Sequence, residues 1–243
     1  KKEQDMWSIA TRVHNATGYW GEDEDVTHAF CEPHYATTYH VAEFYNSISS
    51  LVYVVTGIYV LNKVHNDVFV RLGALWLVTI GIGSTLFHGI MWYWMQLLDE
   101  IPMVGFMATI MLAKADIDHP LLEGYYKTFF QVFSVVLCLT VVGIYLVIQQ
   151  YEIFFHGFQV IMVMDFVLGQ MVRKWSGRHS AMNTRSYYLE WATILLGRVF
   201  WESENRLCEI YPSVWPLHVC WHFASNVSAY CALVATLISR LED

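Results

Sequence analysis

Ser84 and His88 are four residues apart, and so are His218 and His222. On helices each pair therefore shares one face, one turn apart. Both pairs, and Asp99, fall in apolar segments, where ionisable groups are costly, usually face a bundle interior and mark function. Three imidazoles suit zinc, which in catalytic sites commonly takes three protein ligands and a water. Water held by zinc can have its pKa lowered to about 7, which makes a hydroxide-like nucleophile at neutral pH. Asp99 would orient or deprotonate that water. Ser84, one turn before His88, would hydrogen-bond the oxyanion that develops on an attacked carbonyl. The chemistry expected is zinc-assisted hydrolysis. A lone intramembrane His is often only a hydrogen-bonded packing residue, and Ser is common at helix contacts; the reading therefore rests on the set and not on any single member.

The set converges only if the elements carrying it alternate in direction. The chain is 56% hydrophobic and 15% charged, against about 25% charged in average soluble domains, so a lipid-facing surface is expected. Apolar stretches near the roughly 20 residues that cross a bilayer occur at 42–61, 70–91, 96–113, 129–148, 153–172, 189–201 and 214–238. The third, with Asp99 and Glu100 near its start, and the sixth, with Arg198 inside it, are the least apolar. The expected fold is an all-α bundle of seven transmembrane helices in a single domain, residues 1–243, since no repeat, low-complexity tract or linker divides the chain. With a rise of about 1.5 Å per residue, His88 near the end of the second helix, Asp99 near the start of the third and His218 and His222 in the first turns of the seventh all lie within about two helical turns of one membrane face.

Charge sets the orientation. Connections one, three and five hold Lys63, Arg71, Lys114, Lys127, Arg173, Lys174, Arg178 and Arg185, whereas two, four and six hold only Arg206. The positive-inside rule then places the N-terminus in the lumen or outside the cell and the C-terminus in the cytosol. Residues 1–40 are polar and lack an apolar h-region, so no cleavable signal peptide is expected and the first helix serves as its own signal. The formal net charge of −8 is uneven, because seven of the 22 acids fall within the first 32 residues; residues 1–41 read as an acidic lumenal segment. Asn15-Ala16-Thr17 is a glycosylation acceptor sequence there. Cys31 could meet Cys208 on the same side, where oxidising conditions favour a disulfide, or both could be free. Cys138, Cys220 and Cys231 read as free, buried cysteines. No dense basic stripe interleaves with the aromatics, which argues against nucleic acid, and no obligate protein partner is expected.

Other polar residues have plainer readings. His14, His28, His34, His65 and His179 fall in loops or tails and read as solvated. His156, near the start of the fifth helix on the metal-bearing face, is a candidate supporting group. Asp165 and Arg198 read as a buried ion pair between the fifth and sixth helices. Tyr19, Trp20, Trp92, Tyr93, Trp94, Tyr211 and Trp215 sit near helix ends, where aromatic residues anchor to the interface.

With these residues in view, the chain resembles the alkaline ceramidase family, seven-helix membrane amidases in a wider superfamily of zinc-dependent hydrolases and receptors. The resemblance runs through Gly18-Tyr19-Trp20-Gly21, Ala42-Glu43-Phe44-Tyr45-Asn46, Gly83-Ser84-Thr85-Leu86-Phe87-His88, Gln96-Leu97-Leu98-Asp99-Glu100-Ile101-Pro102, Phe200-Trp201, Cys208-Glu209 and His218-Val219-Cys220-Trp221-His222. It implies hydrolysis of the ceramide amide to a sphingoid base and a fatty acid, with zinc on His88, His218 and His222, Asp99 at the catalytic water and Ser84 at the oxyanion. It also implies an endoplasmic reticulum or Golgi membrane.

The family further carries a calcium site before the first helix, for which Glu32 and Glu43 match two ligand positions. Where relatives read Asp-Trp-Cys-Glu-Glu-Asn, this chain reads Ala29-Phe30-Cys31-Glu32-Pro33-His34. Calcium wants six to eight oxygens, and two side-chain oxygen donors are gone; the run Glu22-Asp23-Glu24-Asp25 could replace them or be simply solvated. Glu202-Ser203-Glu204-Asn205 is a second departure, from an Asn-x-Asp-Asn pattern. Two other functions compete. A progestin and adipoQ type receptor shares the metal triad with the opposite orientation, and a transporter would use Asp99, Asp165 and Arg198 as a polar path, although the polar groups cluster at one face and no inverted repeat is visible.

Overall fold

The structure, a computed structural model, describes residues 18–21, 26–28, 30–117, 124–176 and 180–242. His14, the Asn15-Ala16-Thr17 sequence, the acidic run 22–25, Ala29, Arg178 and His179 lie outside the described residues. Among the described residues eight α-helices follow one another: α1 (Phe44–Ser49), α2 (Leu51–Lys63), α3 (Val68–Ile90), α4 (Tyr93–Ala115), α5 (Tyr125–Ile148), α6 (Tyr151–Ser176), α7 (Ala181–Leu207) and α8 (Pro216–Glu242). α1 and α2 form one apolar stretch divided only by Ser50, and with α3, α4, α5, α6 and α8 they make six helices long and apolar enough to cross a membrane.

α7 is the exception. It is 27 residues long, about 40 Å at the usual rise, so length is not what sets it apart. Asn183, Arg185, Glu190, Arg198, Glu202 and Glu204 make it too polar to stand with the six apolar helices. Much of that polarity is turned inward: Asn183, Ser186, Glu190 and Glu204 are buried. α5 has the opposite character, with Val132, Val136, Leu139, Leu146 and Val147 all exposed, as a lipid-facing helix requires.

Helix ends follow from local chemistry. Asp67 caps α3 by accepting from the Val70 N–H at 2.9 Å, and the chain leaves α3 through Met91 in a left-handed conformation at φ 57°. The turn is short, so α4 returns alongside α3. Pro102 lies inside α4 and has no N–H to give the carbonyl four residues back, that of Leu98. Gly83 of α3 faces that carbonyl. A Cβ on Gly83 would stand 2.1 Å from Leu98 O and 2.8 Å from Asp99 N, so the bare glycine is what lets α3 and α4 meet there, with Ser84 next to Asp99.

Several sequence expectations are corrected here. Asp165 pairs with Lys114, not Arg198: Lys114 Nζ donates to Asp165 Oδ1 at 2.9 Å and Oδ2 at 2.7 Å, with Glu190 Oε1 at 3.6 Å. Counted from the helix ends next to the metal-bearing side, Asp165 lies about 21 Å along α6 and Arg198 only about 14 Å along α7, so their heights do not match. Arg198 instead binds Glu202 at 3.3 Å and lies over the rings of Phe155 and Trp201. Lys114 accordingly belongs to the interior of the bundle and not to a connection. Cys220 is exposed, while Cys138 and Cys231 are buried.

Candidate metal centre

α3, α4 and α8 deliver their polar residues to one end of the bundle. His88 comes from the last turn of α3, and His218 and His222 from the first turns of α8. The three rings are buried, with centroids 5.1 Å (His88–His218), 5.2 Å (His88–His222) and 4.6 Å (His218–His222) apart. One nitrogen from each lies within 4.8 Å of the others, and this is the one group of three or more His, Cys, Asp or Glu residues among the described residues that could hold a metal ion.

Each ring is held by its other nitrogen. His88 Nδ1 is 2.6 Å from Glu43 Oε2, His218 Nδ1 is 3.0 Å from Glu204 Oε2, and His222 Nδ1 is 2.7 Å from Ser49 Oγ. Carboxylates accept, so His88 and His218 carry their protons on Nδ1. Ser49 can give its single proton to Asn46 O at 3.0 Å and accept the Nδ1 proton of His222. In all three rings the Nε2 lone pair is then left for a metal, and His88 Nε2 is buried without a partner. Anchoring a metal-ligating imidazole through its second nitrogen is the usual arrangement. The residues fit a divalent ion that takes nitrogen ligands.

Ser84 and Asp99 stand beside the triad. The Ser84 hydroxyl accepts from Ser50 Oγ at 2.9 Å, and the Asp99 carboxyl is its neighbour. Both residues line, with His218 and His222, a largely apolar cavity that continues between the helices past Phe106, Met107 and Ile194 to Asp165 and Glu190. A polar, metal-capable end thus opens on an apolar interior.

A segment before α1 roofs the centre. Phe30 lies on His218, ring centroids 3.7 Å apart, and Cys31 is joined to Cys208 by a disulfide across a separation of 177 residues. The Cys31 N–H donates to Glu204 Oε1 at 2.9 Å. His34 is buried against Glu43 at 3.1 Å, and His28 stacks on Tyr151 at 4.1 Å; neither is the solvated loop histidine expected from sequence. His65 is exposed, as is His156, whose Nδ1 faces Gln159 at 3.4 Å and which takes no part in the centre.

In the sequence Glu43 matches a calcium-ligand position of the resembled family without the full donor set beside it, Glu204 stands only as a departure from a pattern, and Ser49 carries no signal of its own. Position before or within an apolar stretch is a signal for a buried carboxylate, but it does not say which ring the carboxylate will hold. Gln96, Glu100 and Tyr145 form another buried cluster: Gln96 Nε2 donates to Glu100 Oε1 at 3.0 Å and to Thr27 Oγ1 at 2.7 Å, and the Tyr145 hydroxyl donates to Glu100 Oε2. That cluster ties the roofing segment to α4 and α5.

The ceramidase family model matches residues 22–243. Alkaline ceramidase 3 of Mus musculus is 26% identical over 242 residues, covering 92% of this chain and 86% of that protein. The alkaline ceramidase of Arabidopsis thaliana is 25% identical over 239 residues, covering 93% and 88%. The putative alkaline ceramidase dcd3B of Dictyostelium discoideum is 22% identical over 267 residues, covering 95% and 92%.

Proposed function

We propose, on the premise that the chain belongs to the ceramidase family, that it hydrolyses the amide bond of ceramide within the membrane, releasing a sphingoid base and a free fatty acid. The observation that carries this reading is the anchoring of all three Nδ1 atoms, which leaves Nε2 of each ring free in a triad whose ligand nitrogens lie within 4.8 Å of one another, beside Ser84 and Asp99. His88, His218 and His222 would hold zinc. When bound there, zinc supplies a Lewis acid that polarises a carbonyl and acidifies water.

The chain's own residues do the rest. Asp99 takes a proton from the attacking water and returns one to the nitrogen as the C–N bond breaks, the two-way role of a general base and acid. The Ser84 hydroxyl, positioned by Ser50, donates to the oxygen of the attacked carbonyl as it gains charge. Glu43, Glu204 and Ser49 keep the rings from turning. The apolar cavity takes hydrocarbon chain while the amide stays at the polar end, and the substrate enters sideways from the bilayer. In the proposed orientation the N-terminus and the metal centre face the lumen, the C-terminus faces the cytosol, and α7 makes a seventh crossing with its polar residues turned into the bundle. An endoplasmic reticulum or Golgi membrane is the proposed location.

The test is release of sphingoid base from labelled ceramide by the purified chain, together with its zinc content. Turnover should require zinc and be lost in His218→Ala. A folded preparation that turns over ceramide without metal, or an active His218→Ala, would overturn the mechanism.

A further inference from the structure

We infer that this chain fastens the segment before its first helix with the imidazole of His34 in the place that the family resemblance gives to calcium, and that His34 thereby positions the metal ligand His88 through Glu43 without a calcium ion.

The argument is an accounting of oxygen lone pairs. An ionised carboxylate offers about four acceptor sites, two on each oxygen. Glu43 is completely buried, and each of its oxygens meets two N–H donors. Oε1 accepts from the Phe30 N–H at 3.3 Å and from His34 Nε2 at 3.1 Å. Oε2 accepts from Asn46 Nδ2 at 3.0 Å and from His88 Nδ1 at 2.6 Å. No site is left for a cation. Glu32, the other carboxylate matched to the calcium pattern, accepts the Tyr45 N–H on Oε1 and the Asn46 N–H on Oε2, each at 2.8 Å. It thereby closes the start of α1 instead of pointing its oxygens at a common ion with Glu43. Calcium requires six to eight oxygens, while position 29 is Ala and position 34 supplies a nitrogen. The residues present do not fit calcium.

His34 fills the gap that this change would leave. Without His34, Oε1 of the buried Glu43 would keep only the Phe30 N–H at 3.3 Å, and leaving a charge-bearing buried oxygen under-satisfied is costly in a protein interior. With His34 in place, a line of contacts runs His34–Glu43–His88, entirely buried. A parallel line runs from the Cys31 N–H through Glu204 to His218. The same short segment therefore sets two of the three metal ligands, and its grip on the first depends on position 34.

The experiment uses the full purified chain reloaded with Co²⁺, whose visible absorption reports the nitrogen environment of the triad. Thermal unfolding and cobalt affinity are measured with added calcium and with a calcium chelator. The wild type should show the same values in both. His34→Ala, acting on His88 only through Glu43, should weaken cobalt binding by up to about 10-fold, the lower end of the effect of removing a direct partner of a metal ligand. His34→Gln, whose amide N–H can reach Glu43, should recover most of that loss. Ala29→Asp combined with His34→Asn restores two oxygen donors and should make the unfolding temperature rise with calcium. A wild type stabilised by calcium, or a His34→Ala protein with unchanged cobalt affinity and spectrum, overturns the inference. If His34→Ala does not fold, the glutamine variant and the calcium comparison on the wild type still decide. The inference takes the triad as a metal site; a wild type that binds neither cobalt nor zinc defeats the proposed amidase mechanism, while the calcium comparison of unfolding temperatures continues to judge His34.

Discussion

Glu204→Gln is the sharpest test of the metal centre, because the substitution changes almost no volume and removes one specific capacity. The two oxygens of Glu204 each serve one donor: Oε1 takes the Cys31 N–H at 2.9 Å, and Oε2 takes His218 Nδ1 at 3.0 Å. A glutamine has one acceptor oxygen and one NH₂ group. If its oxygen faces His218, its NH₂ points at the Cys31 N–H; if it turns over, the NH₂ points at His218 and favours the tautomer whose Nε2 carries the proton. In the first case the Cys31 N–H loses its acceptor, at a cost of about 1–3 kcal/mol; in the second His218 presents a protonated Nε2 where the metal would bind. Loss of a partner behind a metal-ligating histidine usually lowers metal affinity by about 10- to 100-fold, which is about 1.4–2.8 kcal/mol. Zinc affinity measured by competition with a chromogenic chelator should fall within that range. The unfolding temperature of the zinc-free protein should fall as well. A variant that loses stability but binds zinc as tightly as the wild type would show that Glu204 supports only the fold, and would refute the argument that Nδ1 anchoring prepares the triad.

Two further outcomes follow from groups away from the metal. Asp165→Leu leaves Lys114 with Glu190 at 3.6 Å as its one carboxylate partner and should destabilise the chain by about 3 kcal/mol, whereas adding Lys114→Met should regain most of that loss, because removing both buried charges is far cheaper than removing one; denaturant unfolding in micelles of Asp165→Leu, Lys114→Met and the double variant gives the coupling, and an additive cycle would count against the pair. Burial pushes His28 down to about 4, with Glu43 acting in the opposite direction. The unfolded chain therefore binds the proton first as pH falls, and the His28 contribution to stability is lost progressively from about 6.5 to about 4. His28→Asn should flatten the fall in unfolding temperature over that interval, and equal slopes for the two proteins would show that His28 does not couple the roofing segment to pH.

The grouping of the histidines in the candidate metal centre was legible in the chain because helices impose arithmetic on sequence. Spacing of four put Ser84 with His88 and His218 with His222 on single faces, and alternating helix direction brought three separate segments to one end. The same arithmetic failed where it had no reference point. His34 and His28 looked like loop histidines because nothing local shows that a segment without regular structure folds back over the bundle. Glu43, Glu204 and Ser49 were readable as polar residues near apolar stretches, but their partners lie 45, 14 and 173 residues away.

The division has a physical basis. Composition alone determined that the chain is helical and lipid-facing, since apolar stretches of that length leave the backbone no other way to satisfy its hydrogen bonds in a bilayer. Periodicity determined which side chains share a face. Only the tertiary structure decided which buried polar group meets which: Lys114 and not Arg198 for Asp165, an imidazole on Glu43, and the carboxylate or hydroxyl behind each ring of the candidate triad. Pairing inside a low-dielectric interior depends on contacts of about 3 Å between segments distant in sequence, and neither spacing along one helix nor composition carries that information.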